Sequence, residues 1–198
     1  NTTGYSNTAS GYQALAVNTT GSSNSASGSY ALYSNSTGAN NIASGYFALF
    51  ANTTGSSNSA SGRGALYKNT TGNYNTASGR GALYKNTTGS NNTASGYQAG
   101  DVITTGSNNT IIGYEADPSG ATATNQTVIG KGTTGQADNS VTLGNADVTA
   151  IYMAQDSGAT VYAAGLNLGG TAITANATEL NYLDGVTSSI QTQLNNAG

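Results

Sequence analysis

The chain has 198 residues, of which 28 are Gly, one is Pro, none is Trp and only 7% are charged, giving a net charge of −3. That composition excludes a conventional globular core. The absence of Cys and His removes disulfides, a thiol nucleophile, the usual general base and the common transition-metal ligands, so no cofactor is expected.

Asn, Thr, Ser, Ala and Gly make up the bulk, as in disordered low-complexity sequence, but here they recur in strict register. From residue 1 the chain reads NTTGYSNTASGYQALAV, NTTGSSNSASGSYALYS, NSTGANNIASGYFALFA, NTTGSSNSASGRGALYK, NTTGNYNTASGRGALYK and NTTGSNNTASGYQAGDV, and a degenerate copy starts at Ile103. Gly11, Gly28, Gly45, Gly62, Gly79, Gly96, Gly113 and Gly130 hold a 17-residue spacing, and Gly144 follows after 14. Order in such a chain comes from stacking identical coils. Nine coils at strand spacing predict a rod about 40 Å long over residues 1–144.

Each copy contains two short stretches, NTASG and ALY, separated by turn residues, which predicts two strands per coil rather than a helix. In ALY, Leu15, Leu32, Leu49, Leu66 and Leu83 are expected to form an inward ladder, with Tyr33, Phe50, Tyr67 and Tyr84 on the reverse face. In NTASG, Ala9 and its equivalents through Ala94 stack and permit close approach. One Leu and a few Ala per coil contribute about 2–4 kcal/mol, against about 1–2 kcal/mol of backbone entropy for each ordered residue. A lone chain is therefore under-stabilised, and burial against identical chains is expected.

Residues 145–176 lose the repeat and predict an irregular β connector. In 177–198, Thr178 caps a short helix TELNYLD ending at Gly185, and Ser188 with Gln191 forms a capping box for a second. Leu183, Val186, Ile190 and Leu194 then begin a coiled-coil seam.

The hexapeptides NNTIIG (108–113), NQTVIG (125–130) and NSVTLG (139–144) resemble the head repeats of trimeric autotransporter adhesins. The resemblance implies an all-β, left-handed parallel β-roll, three chains around one axis, forming an extracellular rod. The first six copies depart from that pattern, placing Ser10, Ser27, Ser44, Ser61, Ser78 and Ser95 where the family has Ile. The segment LNLGGTAITANATELNYLDGVTSSIQTQLNN is similar to stretches of bacteriophage tail fibres, in which a β-rich shaft passes into a trimeric helical neck. Together the resemblances imply a structural and adhesive fibre segment at a virion or cell surface, part of a longer fibre; a bacterial surface adhesin is the alternative. No apolar run approaches a membrane span, so no membrane insertion by this segment is expected.

Residues 1–100 carry Arg63, Lys68, Arg80 and Lys85 and no acid, whereas all eight acids lie in 101–198 with Lys131. Arg63 and Arg80 stack one period apart, as do Lys68 and Lys85, and threefold repetition would make a basic belt beside Tyr67 and Tyr84, suited to acidic glycans. The clustered acids Asp101, Glu115 and Asp117 are the only candidates for a glycosidase pair, as in a tailspike enzyme; a solvated edge is the simpler reading, and no catalytic residue is assigned. The first five copies contain no acid, which rules out a calcium site in the repeat. Asn1, Asn18, Asn52, Asn69 and Asn86 begin Asn-x-Thr sequons, with Asn35 similar, but stacked Asn ladders explain them better. Abundant Thr raises an ice-binding reading, weakened because Thr2 and Thr3 are adjacent and would face opposite ways if extended.

Overall fold

The computed structural model describes residues 1–151 and the strands Leu166–Leu168 and Thr171–Ile173. Asn1–Thr149 forms one compact unit, a parallel β-solenoid. Each coil contributes one short strand: β1 (Thr8–Ser10), β2 (Ser25–Ser27), β3 (Ile42–Ser44), β4 (Ser59–Ser61), β5 (Thr76–Ser78), β6 (Thr93–Ser95), β7 (Thr110–Ile112), β8 (Gln126–Ile129) and β9 (Ser140–Leu143). They form a single nine-stranded sheet in sequence order. The register advances 17 residues per step, as in Ala26↔Ala43, and 14 in the last, Gln126↔Ser140. β10 (Leu166–Leu168) and β11 (Thr171–Ile173) pair antiparallel as a separate two-stranded sheet. The expected helices of 177–198 and most of the connector lie outside the described residues.

The sheet turns its middle column inward. Ala26, Ala43, Ala60, Ala77 and Ala94 are at most 1% exposed, and Ile111 and Val128 continue the column. Facing them, Leu32, Leu49, Leu66 and Leu83 are fully buried, with Ala31, Ala48, Ala65 and Ala82 beside them. This is a thin core of small residues, and it is continuous along the rod.

The expected second strand does not form. Leu15, Leu32, Leu49, Leu66 and Leu83 have φ of 51° to 53°, and the residues two before them, among them Gln13, Tyr30 and Phe47, are also left-handed. Two left-handed residues within three positions turn the chain instead of extending it. Inward Leu and outward Tyr survive because the turn is bonded coil to coil: Leu32 N–H donates to the Ala48 carbonyl and Leu49 N–H to that of Ala65, both at 3.0 Å. The strand-ending glycines are required. At Gly62 (φ 135°) a Cβ would sit 2.5 Å from the Gly79 carbonyl oxygen.

Two buried asparagine ladders complete the interior. In the first, Asn18, Asn35, Asn52, Asn69 and Asn86 each donate from Nδ2 to the Oδ1 of the Asn one coil earlier, at 2.8–3.1 Å, and to the Gly carbonyl three residues on. In the second, Oδ1 of Asn7, Asn24, Asn41, Asn58, Asn75 and Asn92 accepts the backbone N–H of the next coil's Asn at 2.9–3.0 Å. The Gly carbonyls join the ladders: Gly55 O accepts from Asn52 and Asn41, each at 2.8 Å. Nearly every polar atom is used, as burial demands. Within the ladders the exception is Asn86 Oδ1, which has no partner because the next coil carries Ile103 in place of Asn. The sequon asparagines from Asn18 to Asn86 are at most 2% exposed, so the folded solenoid offers them to no glycosyltransferase.

A candidate binding groove and the outer sheet face

The turn after each strand carries three outward columns. The first runs Tyr12, Ser29, Tyr46, Arg63, Arg80, Tyr97 and Tyr114; the second Gln13, Tyr30, Phe47, Gly64, Gly81, Gln98 and Glu115; the third Ala16, Tyr33, Phe50, Tyr67, Tyr84 and Asp101. In the third column Tyr33, Phe50, Tyr67 and Tyr84 stack at 5.4, 5.2 and 5.0 Å between centroids, the last pair within 3° of parallel. In the second, Tyr30 and Phe47 stack at 5.0 Å, and then two glycines interrupt the column. The interruption opens a groove of about 650 Å³ lined by Tyr46, Phe47, Arg63, Tyr67, Arg80, Tyr84, Lys85, Tyr97, Gln98 and Asp101 around Gly64 and Gly81.

Five of the six expected glycan-site residues, Arg63, Tyr67, Arg80, Tyr84 and Lys85, line this groove, and Lys68 lies outside it. Repulsion between the stacked arginines is relieved by divergence. Arg63 lies over the Tyr46 ring, 5.7 Å from Cζ to centroid, and Arg80 over Tyr97 at 5.5 Å, on opposite sides of the gap. Lys85 pairs with Asp101 at 3.7 Å, and Gln98 Nε2 donates to Asp101 at 3.2 Å.

The acids gather at one shallow depression lined by Gln98, Asp101, Glu115 and Asp117. Glu115 sits in a turn with φ 49° and so shares no strand face with Asp117, as a hydrolase pair on one strand would. Asp117 falls in the buried Leu column, its Oδ1 without a hydrogen-bond partner. Burial, with the Asp101 charge adding to it, raises its carboxyl from 3.8 to about 6; Lys85 and the nearby backbone offset only part. Among the described residues no three His, Cys, Asp or Glu side chains converge to hold a metal.

The other exposed surface is the outside of the sheet, which sequence reasoning missed. Thr8, Ser25, Ser59, Thr76, Thr93, Thr110 and Thr127 form one outward rank, interrupted by Ile42 and ending at Val141. Ser10, Ser27, Ser44, Ser61, Ser78 and Ser95 form a second, continued by Ile112, Ile129 and Leu143. The positions at which Ser replaces the Ile of the adhesin pattern thus face outward and do not thin the core. The corner threonines spend their hydroxyls on the coil below: Thr19, Thr53, Thr70 and Thr87 donate Oγ1 to backbone carbonyls 17 residues on, at 2.8–3.1 Å.

Comparison with protein-family models, curated proteins and solved structures returns no match for this chain, and the likenesses to adhesin heads and tail fibres rest on the quoted residues alone. What stands is a repeat protein of the parallel β-solenoid class.

Proposed function

We propose that this chain is a structural and adhesive segment of an extracellular or virion fibre, a homotrimer of left-handed β-rolls with a short helical neck at 177–198, of the tail-fibre kind; a bacterial trimeric adhesin is the alternative. It performs no turnover and holds a binding surface away from its base. The observation that carries the reading is the outer sheet face. Its C-terminal end is apolar, with Ile112, Ile129 and Leu143 in one rank at 41%, 38% and 43% exposure and Val141 beside them at 66%. Four large aliphatic side chains on three adjacent strands form a contiguous patch suited to an identical patch on another chain, and the small Ser rank beyond lets neighbouring backbones approach closely.

Light scattering of the native chain tests this. A mass near three times 19.6 kDa that falls on substitution Ile112→Asp with Ile129→Asp is the expected outcome. A stable monomer at every concentration refutes the trimer. In that case the Thr and Ser ranks, repeated coil after coil on the outer sheet face, favour a second reading, an ice-binding face, and thermal hysteresis of the monomer decides it.

A further inference from the structure

We propose that the interruption at Gly64 and Gly81 is a binding subsite for an anionic glycan, two consecutive sugar rings of which take the places of the two missing side chains. The proposal deepens the adhesive part of the function above and is independent of the trimer, because the groove lies on the turn columns and not on the sheet face.

The fold does not force the gap. A Cβ at Gly64 would meet only the Tyr84 ring, at 3.4 and 3.5 Å, and one at Gly81 only the Gln98 Cγ, at 3.3 Å. The backbone there, φ 66° and 70°, matches that of Tyr30 and Phe47 in the same column, both at 59° and both bearing rings. Side chains are thus tolerated in this column, and their absence in two successive coils leaves a slot bounded by Phe47 at one end and Gln98 at the other.

The slot has the chemistry of a sugar site. Its wall is the Tyr67–Tyr84 step of the ring ladder. The two rings stack on one another, with Phe50 on the far side of Tyr67, so a pyranose packs against the apolar side of the ladder and not on a free ring face, and the 5.0 Å step matches the advance of one sugar in an extended chain. Its rim holds three cations, Arg63, Arg80 and Lys85, against the single carboxylate of Asp101. The two guanidiniums diverge, so each is placed to pair with the carboxylate or sulfate of a different sugar. Charge complementarity thus selects a polyanion, and the ring wall selects sugars over a flexible acidic peptide.

Titration calorimetry on the whole chain at low salt tests the proposal with four probes: a hyaluronan hexasaccharide carrying uronates, a heparin hexasaccharide carrying sulfates as well, neutral chitohexaose, and a glutamate hexapeptide. Saturable binding of at least one anionic glycan, at least tenfold tighter than either control, is expected, and the preferred probe separates uronate from sulfate recognition. Gly64→Phe with Gly81→Tyr, which continues the ring column, is expected to weaken binding at least tenfold while circular dichroism and oligomer mass stay unchanged. Should those substitutions disturb folding, Arg63→Gln with Arg80→Gln gives the same readout without filling the slot. The proposal is overturned by equal binding of the glutamate peptide, by binding that survives the filled slot in a folded protein, or by no binding of either anionic glycan at millimolar concentration. None of these outcomes bears on the trimer, which the light-scattering mass decides separately.

Discussion

Asn52 is the most demanding test of how this solenoid is held together. Its Nδ2 donates to Asn35 Oδ1 and to Gly55 O, both at 2.8 Å, and its Oδ1 accepts from Asn69 Nδ2 at 2.8 Å. Asn52→Ala deletes all three bonds in a place with 0% exposure, where water does not replace them. Each net bond contributes about 1 kcal/mol, and a buried group left unpaired costs about 1–3 kcal/mol. Asn35 Oδ1 and one Asn69 N–H are orphaned, whereas Gly55 O keeps Asn41, so the loss should be about 3–5 kcal/mol. Asn86→Ala is the internal control. Its Oδ1 already lacks a partner, so only two bonds and one orphan are at stake, and the loss should be smaller by about 1–2 kcal/mol. Urea unfolding followed by circular dichroism, at one protein concentration so that association contributes equally, measures both. Equal losses, or a loss below about 1 kcal/mol for Asn52→Ala, would refute the ladder as a source of stability.

Three further outcomes follow from the geometry. Leu66→Ala empties a fully buried site in a core with no larger neighbour to fill it and should cost about 2–4 kcal/mol in the same urea assay. Tyr74, 66% exposed at φ 57°, shares its column with Asn40, Asn91, Asn108, Asn125 and Asn139, so Tyr74→Asn should stabilise by about 0.5 kcal/mol, read as a raised urea midpoint. The carboxyl of Asp117 is raised to about 6 from 3.8, so the folded state binds its proton more tightly: the resulting penalty is absent below pH 3.8, grows between 3.8 and 6 and is complete above. The full shift corresponds to about 3 kcal/mol, reduced by screening of this half-exposed group to about 1 kcal/mol. Asp117→Asn should therefore raise stability at pH 7 and flatten its decline between pH 4.5 and 6.5, and an unchanged slope would show that another group titrates.

Much of the solenoid was legible because its columns are written directly in the repeat. Gly spacing gave the coils and their register, including the shortened last step, and Leu and Ala in fixed places gave the core. The alternation argument failed at ALY because it assumes extended backbone, and nothing in the identity of Leu66 or Leu83 announces a left-handed φ. The outer face was missed for a related reason: the short stretch TAS carries no long alternation to mark its faces, although Ala inward between two hydroxyl residues leaves both hydroxyls facing out. The basic residues of the groove were found from charge and period. The gap was equally visible as Gly64 and Gly81 beneath Tyr30 and Phe47 in the aligned copies, but it takes the fold to show that the backbone there would have accepted rings. Asp117 falls in the Leu column once the copies are aligned, so its place among inward positions was legible too.

The asparagine ladder also governs which changes in length the gene can tolerate. Between Asn18 and Asn86 every coil offers the same donors and acceptors to the coils on either side, so removing or duplicating a whole copy rejoins every bond and changes the rod by about 4.8 Å. An insertion of one residue would misalign both ladders and the sheet at once. Past Asn86 the exchange fails, because Ile103 and Gly100 replace the Asn and Leu of their columns and that coil fits only its own neighbours. The first five copies are therefore a stretch whose reach recombination can reset, joined to a C-terminal part that must be inherited intact.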